Sequence, residues 1–554
     1  MTAPNPSTAL ARVVVDELTR HGLSQFVAAP GSRSAAAVIA SASHPDTNLR
    51  MSLDERSAAF FALGVGRASG IPSAVICTSG SAVANLMPAV VEAAAAGVPL
   101  VLLTCDRPPE LHNTGANQTM AQTGFFDRQT RFAADLGPGE DRPETVNMWR
   151  TTVDQAVSAA MGSPPGPVQI NLVFREPTSP VTDDGRATAE PFQSPLGGEG
   201  ARPSVSLGFV SIVPELPQDL ISDVDARRGV VVCGESSPEA ARSLGDHLGW
   251  PVLIEARAGG RSDDVVTAYQ HLGHREDLIP EMVIRLGAAG VSSSMLRLLG
   301  MDIPQVMVDP HGRWLDPMRS AAWSIRADAH SFWRVMSDKL PRATDTTWRD
   351  TWLGADSEVR KIIDQVVDGY DHLTSARVAR DVAAATPRTL VVGSSLPIRD
   401  VDAFSWRTPH QVVSNRGLSG IDGFVSTTLG VATTDPMTVG LCGDLTFLHD
   451  NNGLLLEQKP SLTLVVVDNR GGRMFEELPH ARHAPQFDRL FTTPHGRDLA
   501  ILADFHDLEY VLAEAPEDLG EITGTDSIRL IHVPIDPVKD REAREQIKQA
   551  VSQV

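Results

Sequence analysis

The chain has 554 residues, too many for one hydrophobic core, and its 42% hydrophobic and 21% charged content is that of a globular protein of about three domains, not a disordered or fibrous one. Lysine and arginine number 48 against 69 acidic residues, a formal charge of -21 that repels phosphate backbones and argues against a nucleic-acid surface. All but five of the basic residues are arginine, the better fork for a carboxylate, so a small anionic ligand stays open.

No stretch is long and apolar enough to cross a bilayer; the best, 89–105, is broken by Glu92, Gly97 and Pro99. Arg12, Asp16 and Glu17 interrupt the apolar core that a signal peptide needs. Cys77, Cys105, Cys233 and Cys442 form no CxxC pair, and each adjoins a strand-like run. They read as reduced thiols, neither disulfides nor a zinc site, and the expected compartment is the cytoplasm.

Short apolar runs alternating with helical segments predict an α/β protein of three parallel-sheet domains in series. The first, 1–180, has expected strands Gln25–Ala29, Ser73–Thr78, Pro99–Thr104 and Val168–Leu172, with helices Thr8–His21 and Asp54–Ala68. From Pro177 to about Ser204 the sequence is rich in Pro, Gly, Ser and Thr without periodicity, which reads as a linker. The second, 205–340, has strands Gly229–Cys233, Pro251–Glu255, Met282–Leu286 and Gln305–Asp309. After the polar Leu340–Thr347, a helix Ser357–Gly369 leads into the third domain, 357–554. Its strands are Thr389–Gly393, Gln411–Val413, Thr438–Leu441, Leu462–Val467 and Ile528–Pro534. Gly64-Val65-Gly66 imitates a dinucleotide fingerprint, but it lies inside a helical pattern and Gly70 is one residue too far, so it is set aside.

Two strand ends of the third domain carry the strongest chemical signal. Thr438–Leu441 runs into Cys442-Gly443-Asp444-Leu445-Thr446, and Leu462–Val467 into Asp468-Asn469-Arg470-Gly471-Gly472. C-terminal strand ends are where open α/β sheets bind ligands. Asp and Asn oxygens, with a carbonyl in a glycine turn, are hard ligands suited to Mg²⁺ and completed by phosphate oxygens and water. Either turn alone is ordinary strand-to-helix chemistry. Together they are about a helix plus a strand apart, which returns the chain to the same sheet edge. The pair resembles the thiamine-diphosphate motif, Gly-Asp-Gly followed at similar distance by Asn-Asn. That resemblance implies thiamine diphosphate as cofactor, with Asp444, Asn469 and the carbonyl of Gly471 holding Mg²⁺ or Mn²⁺ against its diphosphate. Leu445 replaces the second Gly of the motif and Asp468 its first Asn; neither change touches a proposed ligand atom.

A thiamine enzyme also needs a carboxylate that hydrogen-bonds the aminopyrimidine and makes it an internal base. Glu55, in Asp54-Glu55-Arg56-Ser57-Ala58, opens a helix of the first domain and matches the place of the family glutamate. Taken alone, it would be a common first-turn acid. Thr78-Ser79-Gly80-Ser81-Ala82-Val83-Ala84-Asn85 is a small-residue turn from strand to helix, suited to close ligand approach or to tight packing.

Four arginines stand just beyond strands, in Pro30-Gly31-Ser32-Arg33-Ser34, Asp106-Arg107-Pro108-Pro109, Ser394-Ser395-Leu396-Pro397-Ile398-Arg399-Asp400 and Ser414-Asn415-Arg416-Gly417-Leu418-Ser419-Gly420-Ile421-Asp422-Gly423. Each alone is ordinarily a surface residue or a structural ion pair; together they point to a pocket for more than one carboxylate. With Thr114-Gly115-Ala116-Asn117-Gln118-Thr119 and Gly443-Asp444-Leu445-Thr446-Phe447-Leu448-His449-Asp450, these strings closely resemble the MenD family, the SEPHCHC synthases of menaquinone biosynthesis. The resemblance covers all three domains and is weakest in the middle one.

The resemblance implies pyrimidine-binding, central and diphosphate-binding domains and a homo-oligomer, dimer or tetramer, in which Glu55 of one subunit serves the diphosphate site of another. It implies decarboxylation of 2-oxoglutarate and addition of the succinyl unit to isochorismate. Arg399 and Arg416 would hold the succinyl part, and Ser32, Arg33, Arg107, Asn117 and Gln118 would face isochorismate. Ser394, Ser395, Ser419, Gly420, Leu445 and Thr446 would lie near the cofactor, with Ile421 propping it. Met474, Phe475 and Leu478 resemble the family's apolar wall, or else form a helix core stripe. A different thiamine-dependent 2-oxoacid decarboxylase or carboligase would share Glu55, Asp444 and Asn469 without needing the arginines. A non-catalytic binding subunit would be expected to have lost part of this set.

Overall fold

The computed structural model describes residues 3–142, 144–180, 191–196, 203–208, 213–478, 481, 483–520, 522 and 526–553. Three sheets form where apolar runs alternate with helices. The first contains β1 (Gln25–Ala28), β2 (Asn48–Met51), β3 (Ser73–Cys77), β4 (Leu100–Asp106), β5 (Phe132–Leu136) and β6 (Pro167–Val173). The second contains β7 (Gly229–Cys233), β8 (Val252–Ile254), β9 (Met282–Leu286), β10 (Gln305–Asp309) and β11 (Ala321–Arg326). The third contains β12 (Thr389–Val392), β13 (Gln411–Val413), β14 (Val439–Gly443), β15 (Leu462–Asp468), β16 (Glu509–Leu512) and β17 (Ile528–Pro534). Their orders are β2-β1-β3-β4-β6-β5, β11-β10-β9-β7-β8 and β13-β12-β14-β15-β17-β16. Every pairing within them is parallel, for instance Gly443 opposite Val467. Parallel strands need crossovers, and helices between strands supply them.

The central strands match the apolar runs because both their faces are buried. β2, β5, β11 and β16 have no counterpart among the expected strands, and each is at the end of its sheet. Their residues are half-exposed, so no continuous apolar run marks them. The helix expected at Ser357 starts ten residues earlier and runs Thr347–Asp368. Trp352, Ala355, Val359, Ile363 and Val367 form its buried stripe. All four cysteines are buried and free.

The chain divides into two compact units: Met1–Phe209 with Asn415–Pro436 and Leu448–Pro460, and Val210–Ser414 with Met437–Phe447 and Ser461–Val554. The expected linker falls in the first. Residues 181–190 and 197–202 of it lie outside the described residues, but Phe192 is fully buried. Its N–H donates to the Ala3 carbonyl at 2.9 Å and its ring stacks on Trp149 at 5.7 Å. Phe192 and Leu196 both belong to the core of this unit, so residues 191–196 pack against it.

The helix Glu55–Ser69 begins on an Asp54 cap, whose side chain accepts from the N–H groups of Arg56 and Ser57. It packs closely against the helix Phe424–Ala432. A Cβ on Gly64 would sit 2.2 Å from the Thr427 carbonyl oxygen, and one on Gly430 2.1 Å from that of Phe61. Gly64 of the discarded fingerprint therefore serves backbone approach.

Asp450, fully buried, joins the starts of both helices by accepting from Ser57 Oγ at 3.4 Å and Ser426 N–H at 2.8 Å. Burial pushes its carboxyl up to about 6, against the pull of the Ser426 bonds. A raised folded value means the folded state binds the proton more tightly, so ionising Asp450 erodes stability as pH rises from about 4 to about 6, by at most about 3 kcal/mol. Asp450→Asn preserves both contacts, accepting from Ser426 and donating to Ser57. In urea unfolding the variant should gain on wild type across that pH interval and hold a constant difference above it. A difference that is flat from pH 4 to 7 would contradict the raised value.

Candidate active site

In the first unit, Glu55 is the first residue of its helix and half-buried, with Asn85 Nδ2 3.5 Å from its Oε2. Asn85 ends the helix Ser81–Asn85, which leaves β3 through the turn 78–80 as expected. Ser32 and Arg33 follow β1, and Arg107 follows β4. Arg33 is 6% exposed; it pairs with Glu176 at 2.9 Å and donates to the Phe174 carbonyl at 3.0 Å. Burial lowers its pKa, Glu176 opposes that, and nearby Arg107 adds to it.

Arg107 donates from Nε to the Asn117 carbonyl at 3.2 Å. Gln118, at φ 56°, donates to the Ser79 carbonyl at 3.0 Å while its own carbonyl accepts from Ser79 Oγ at 2.9 Å. Beneath this group lies a buried amide network. Gln122 accepts from Gly80 N–H at 3.2 Å and donates to Asn171 Oδ1 at 3.0 Å, and Asn171 donates to Asp106 Oδ2 at 3.0 Å. The network steadies both the loop of Asn117 and Gln118 and the turn at Ser79. No spacing signal marks it in the sequence.

Arg416, Ser419, Gly420 and Ile421 lie in the loop between β13 and the helix Phe424–Ala432. Ser419 has φ 63°, a strained value for a residue with a side chain. Glu92, which the sequence shows only as a break in an apolar run, accepts from the N–H groups of Gly417 and Leu418.

In the second unit, Ser394 and Ser395 follow β12, and Ser395 enters the helix Leu396–Phe404 at φ 81°. Arg399 donates to the Ser395 carbonyl at 2.6 Å and lies 3.4 Å from Met474 Sδ; Ser395 Oγ is 3.3 Å from the same sulfur. These predicted residues are therefore brought together. The helix is held from behind by Asp402, which accepts from Ala256 N–H at 2.7 Å, Arg261 Nη2 at 2.6 Å, and Tyr269 and Gln270 at 2.5 Å each. Met474 and Phe475 lie in a 3-10 turn, Arg473–Glu477, and are partly exposed, while Leu478 is 39% exposed. A buried α-helical stripe is thus not what they form.

Asp444 directly follows β14, and Asp468 ends the neighbouring β15, so parallel pairing places both turns at one sheet edge. Asp444 Oδ1 accepts from Leu445 N–H and Oδ2 from Gly471 N–H, each at 2.7 Å. Thr446 is buried beside them. Gly471 has φ 115°, and a Cβ there would strike the Thr492 carbonyl at 2.1 Å, so only glycine carries the chain through this turn. Asn469 is 8% exposed and its Oδ1 is buried without a hydrogen-bond partner.

Two histidines absent from any sequence motif complete the group. His495 Nε2 is 3.2 Å from Asp444 Oδ2 and 3.8 Å from Asp468 Oδ1, and His532 is 3.1 Å from Asp468 Oδ2. Burial, reinforced by the Asp468 carboxyl, pushes Asp444 up to about 6 against the bonds from Gly471 and Leu445. Burial would raise Asp468 also, but bonds from His532, Arg470 N–H and Asp444 outweigh it and hold the carboxyl at about 2. The set of carboxylate, amide oxygen and turn carbonyl fits a hard divalent cation, and the orphaned Asn469 oxygen lacks the partner such a cation would be.

The thiamine pyrophosphate enzyme family, N-terminal TPP binding domain, matches residues 8–125, and the family described as the middle domain of thiamine pyrophosphate matches residues 210–392. The chain is 39% identical to the 2-succinyl-5-enolpyruvyl-6-hydroxy-3-cyclohexene-1-carboxylate synthase of Thermobifida fusca over 99% of both chains. It is 38% identical to the protein of that name from Chloroflexus aurantiacus, over 94% of this chain and 92% of the relative. To that of Salinibacter ruber it is 36% identical, over 100% of this chain and 98% of the relative. Similarity of this extent, on a fold of three parallel sheets with the thiamine motif at a strand edge, makes the chain a member of the 2-succinyl-5-enolpyruvyl-6-hydroxy-3-cyclohexene-1-carboxylate synthase family of thiamine-diphosphate-dependent enzymes.

Proposed function

We propose that the protein decarboxylates 2-oxoglutarate and adds the resulting succinyl unit to isochorismate, a step of menaquinone biosynthesis, as a cytoplasmic homo-oligomer. The observation that carries the cofactor site is the buried, unpartnered Asn469 Oδ1 next to a turn whose Gly471 N–H is held by Asp444. Residues 1–180, 205–340 and 357–554 serve as the pyrimidine-binding, central and diphosphate-binding domains. Among the described residues no helix is long and apolar enough to cross a membrane.

Thiamine diphosphate, when bound, supplies a carbon acid that takes up a 2-oxoacid and stabilises the electron pair left by departing CO₂. The protein's part is to hold, orient and exclude. Asp444, Asn469 and the Gly471 carbonyl hold Mg²⁺ or Mn²⁺, and both negative carboxyls of the Asp444 and Asp468 pair become affordable once a dication is present. Glu55 holds the proton at the aminopyrimidine nitrogen. Ser394, Ser395, Leu445, Thr446, Ser419 and Gly420 bind the cofactor, and Ile421 props it.

Arg399 and Arg416 orient the succinyl carboxylate. Ser32, Arg33, Arg107, Asn117 and Gln118 receive isochorismate, Arg33 exchanging the exposed Glu176 for a substrate carboxylate. Met474, Phe475 and Leu478 keep water from the reacting carbon, where loss of CO₂ is favoured by poor solvation. Two dicarboxylate substrates account for arginines at four separate strand ends.

CO₂ release from 2-oxoglutarate, with thiamine diphosphate and Mg²⁺, should depend on isochorismate, and Glu55→Gln should lower it by about a hundredfold or more. Release indifferent to isochorismate would identify a different thiamine-dependent decarboxylase. Asp444→Ala should weaken calorimetrically measured binding of Mg²⁺-thiamine diphosphate by about tenfold or more, and chelation should do the same to wild type. Binding that survives both would remove the metal from this site. Arg399→Ala should raise the KM for 2-oxoglutarate about 10- to 100-fold and leave that for isochorismate unchanged. The opposite pattern would exchange the two substrate assignments.

A further inference from the structure

Glu92 sits in the middle of the helix Met87–Ala96, an alanine-rich element with no call for a carboxylate, and it is 4% exposed. Its two oxygens divide between consecutive backbone amides of another segment: Oε1 accepts from Gly417 N–H at 2.8 Å and Oε2 from Leu418 N–H at 2.7 Å. Burial pushes its carboxyl up, and the bonds from Leu418 and Gly417 pull it back. A charge taken out of water in this way is retained only where the hydrogen bonds it accepts are themselves needed.

The segment it grips has reason to need them. Arg416 immediately precedes the two amides and Ser419 immediately follows. Ser419 is solvent-facing at φ 63°, a conformation that persists only when its surroundings over-determine it. Leu418 is 58% exposed, so its side chain contributes little anchoring. On the upstream side Asn415 Nδ2 donates to Thr427 Oγ1 at 3.0 Å. Gly417 lies so close on the helix that a Cβ would meet the Ala96 nitrogen and the Glu92 carbonyl oxygen at 2.9 Å each. Arg416 thus leaves the backbone between two fixed points, Asn415 on one side and the Glu92 clamp on the other.

We infer that Glu92 is a positioning residue that sets the direction of Arg416 and the left-handed turn at Ser419, and so tunes the binding of the 2-oxoacid's distal carboxylate without touching it. This rests on the reading of Arg416 as a substrate-carboxylate residue. In Glu92→Gln, the amide oxygen still accepts from one N–H while the NH₂ faces the other, replacing a bond by an opposition of two donors. Gly417→Ala disturbs the same contact from the loop side.

The test uses the full-length enzyme with cofactor and Mg²⁺, and reads hydrogen exchange together with steady-state kinetics. In both variants, peptides covering 415–423 should exchange about tenfold faster or more, while those of the first sheet keep their protection. The KM for 2-oxoglutarate should rise about tenfold, with kcat and the KM for isochorismate within about threefold of wild type. Unchanged exchange in 415–423 would overturn the clamp, and a fall in kcat at constant KM would overturn the positioning role. If wild type itself fails to turn over 2-oxoglutarate, the substrate reading fails, and the exchange measurement alone then decides whether Glu92 holds the loop.

Discussion

Buried carboxylates that accept backbone N–H groups from segments far away in the sequence hold the connections of this molecule in place. A chain leaving a parallel strand carries N–H groups that the ladder no longer satisfies, and a buried donor must find an acceptor. In the first unit Glu92 takes Gly417 and Leu418, and Asp450 takes Ser426. In the second, Glu255 takes Gly290 and Val291, Asp356 takes Thr267 and Ala268, Asp402 takes Ala256, and Asp540 takes Ser375. One carboxylate satisfies two donors with charge-assisted bonds, which a neutral acceptor does less strongly. The cost is desolvation, visible as the raised pKa of Glu92, Glu255, Asp356 and Asp450, burial being the first cause in each. Loops held in this way keep strained or exposed residues in one place without an apolar core of their own.

Arginine plays the complementary part from within. Arg261 and Asp402 are both without exposure, and Arg261 donates to the carbonyls of Ile254, Val401, Asp402 and Ser405 besides the carboxylate. Arg544 ties Asp400 to Asp540 and Ser375, so the helix Leu396–Phe404 is gripped at two of its acids. Arg399 extends from the same helix toward Ser395 and Met474. Breaking such a pair strands a charge in the interior, which is why these bolts hold position better than they add stability. Part of the arginine-rich composition is therefore structural: buried residues such as Arg261, Arg285 and Arg150 serve the fold, apart from the strand-end arginines proposed for ligands.

What was legible in the sequence follows the same division. Interior strands such as Met282–Leu286 and Gln305–Asp309 are buried on both faces, so hydrophobicity alone marks them to the residue. Sheet-end strands such as Phe132–Leu136, half-open to solvent, carry no continuous apolar run and go unmarked. Asp444 and Asn469 stand out because their motifs sit at the ends of the expected strands Thr438–Leu441 and Leu462–Val467, and Glu55 because it opens an expected helix. Glu92, Asn171, Asp402 and His495 do not, because each acts on a partner tens to hundreds of positions away. Phe192 and Leu196 show the same limit in the expected linker, where two isolated apolar side chains carry no periodic signal yet join the core.

Asp468 shows how a departure from a motif is absorbed by its surroundings. With the motif's neutral Asn in that place, Asp444 would be the only carboxyl of its cluster; with Asp468, one ligand atom from each of Asp444, Asp468 and His495 lies within 4.8 Å of the others. The pair responds by splitting, one carboxyl held near 2 by His532 and the Arg470 N–H, the other pushed toward 6. His532 reaches Asp468 from β17, the strand paired with β15, so the compensating group is built into the sheet itself and needs no loop to deliver it. The cluster thereby carries one carboxyl more than the motif, with Gly471 N–H still held by Asp444. On the proposed reading a dication at this edge would offset the second carboxyl, and the departure from the motif leaves the proposed ligand atoms of Asp444, Asn469 and Gly471 unaltered.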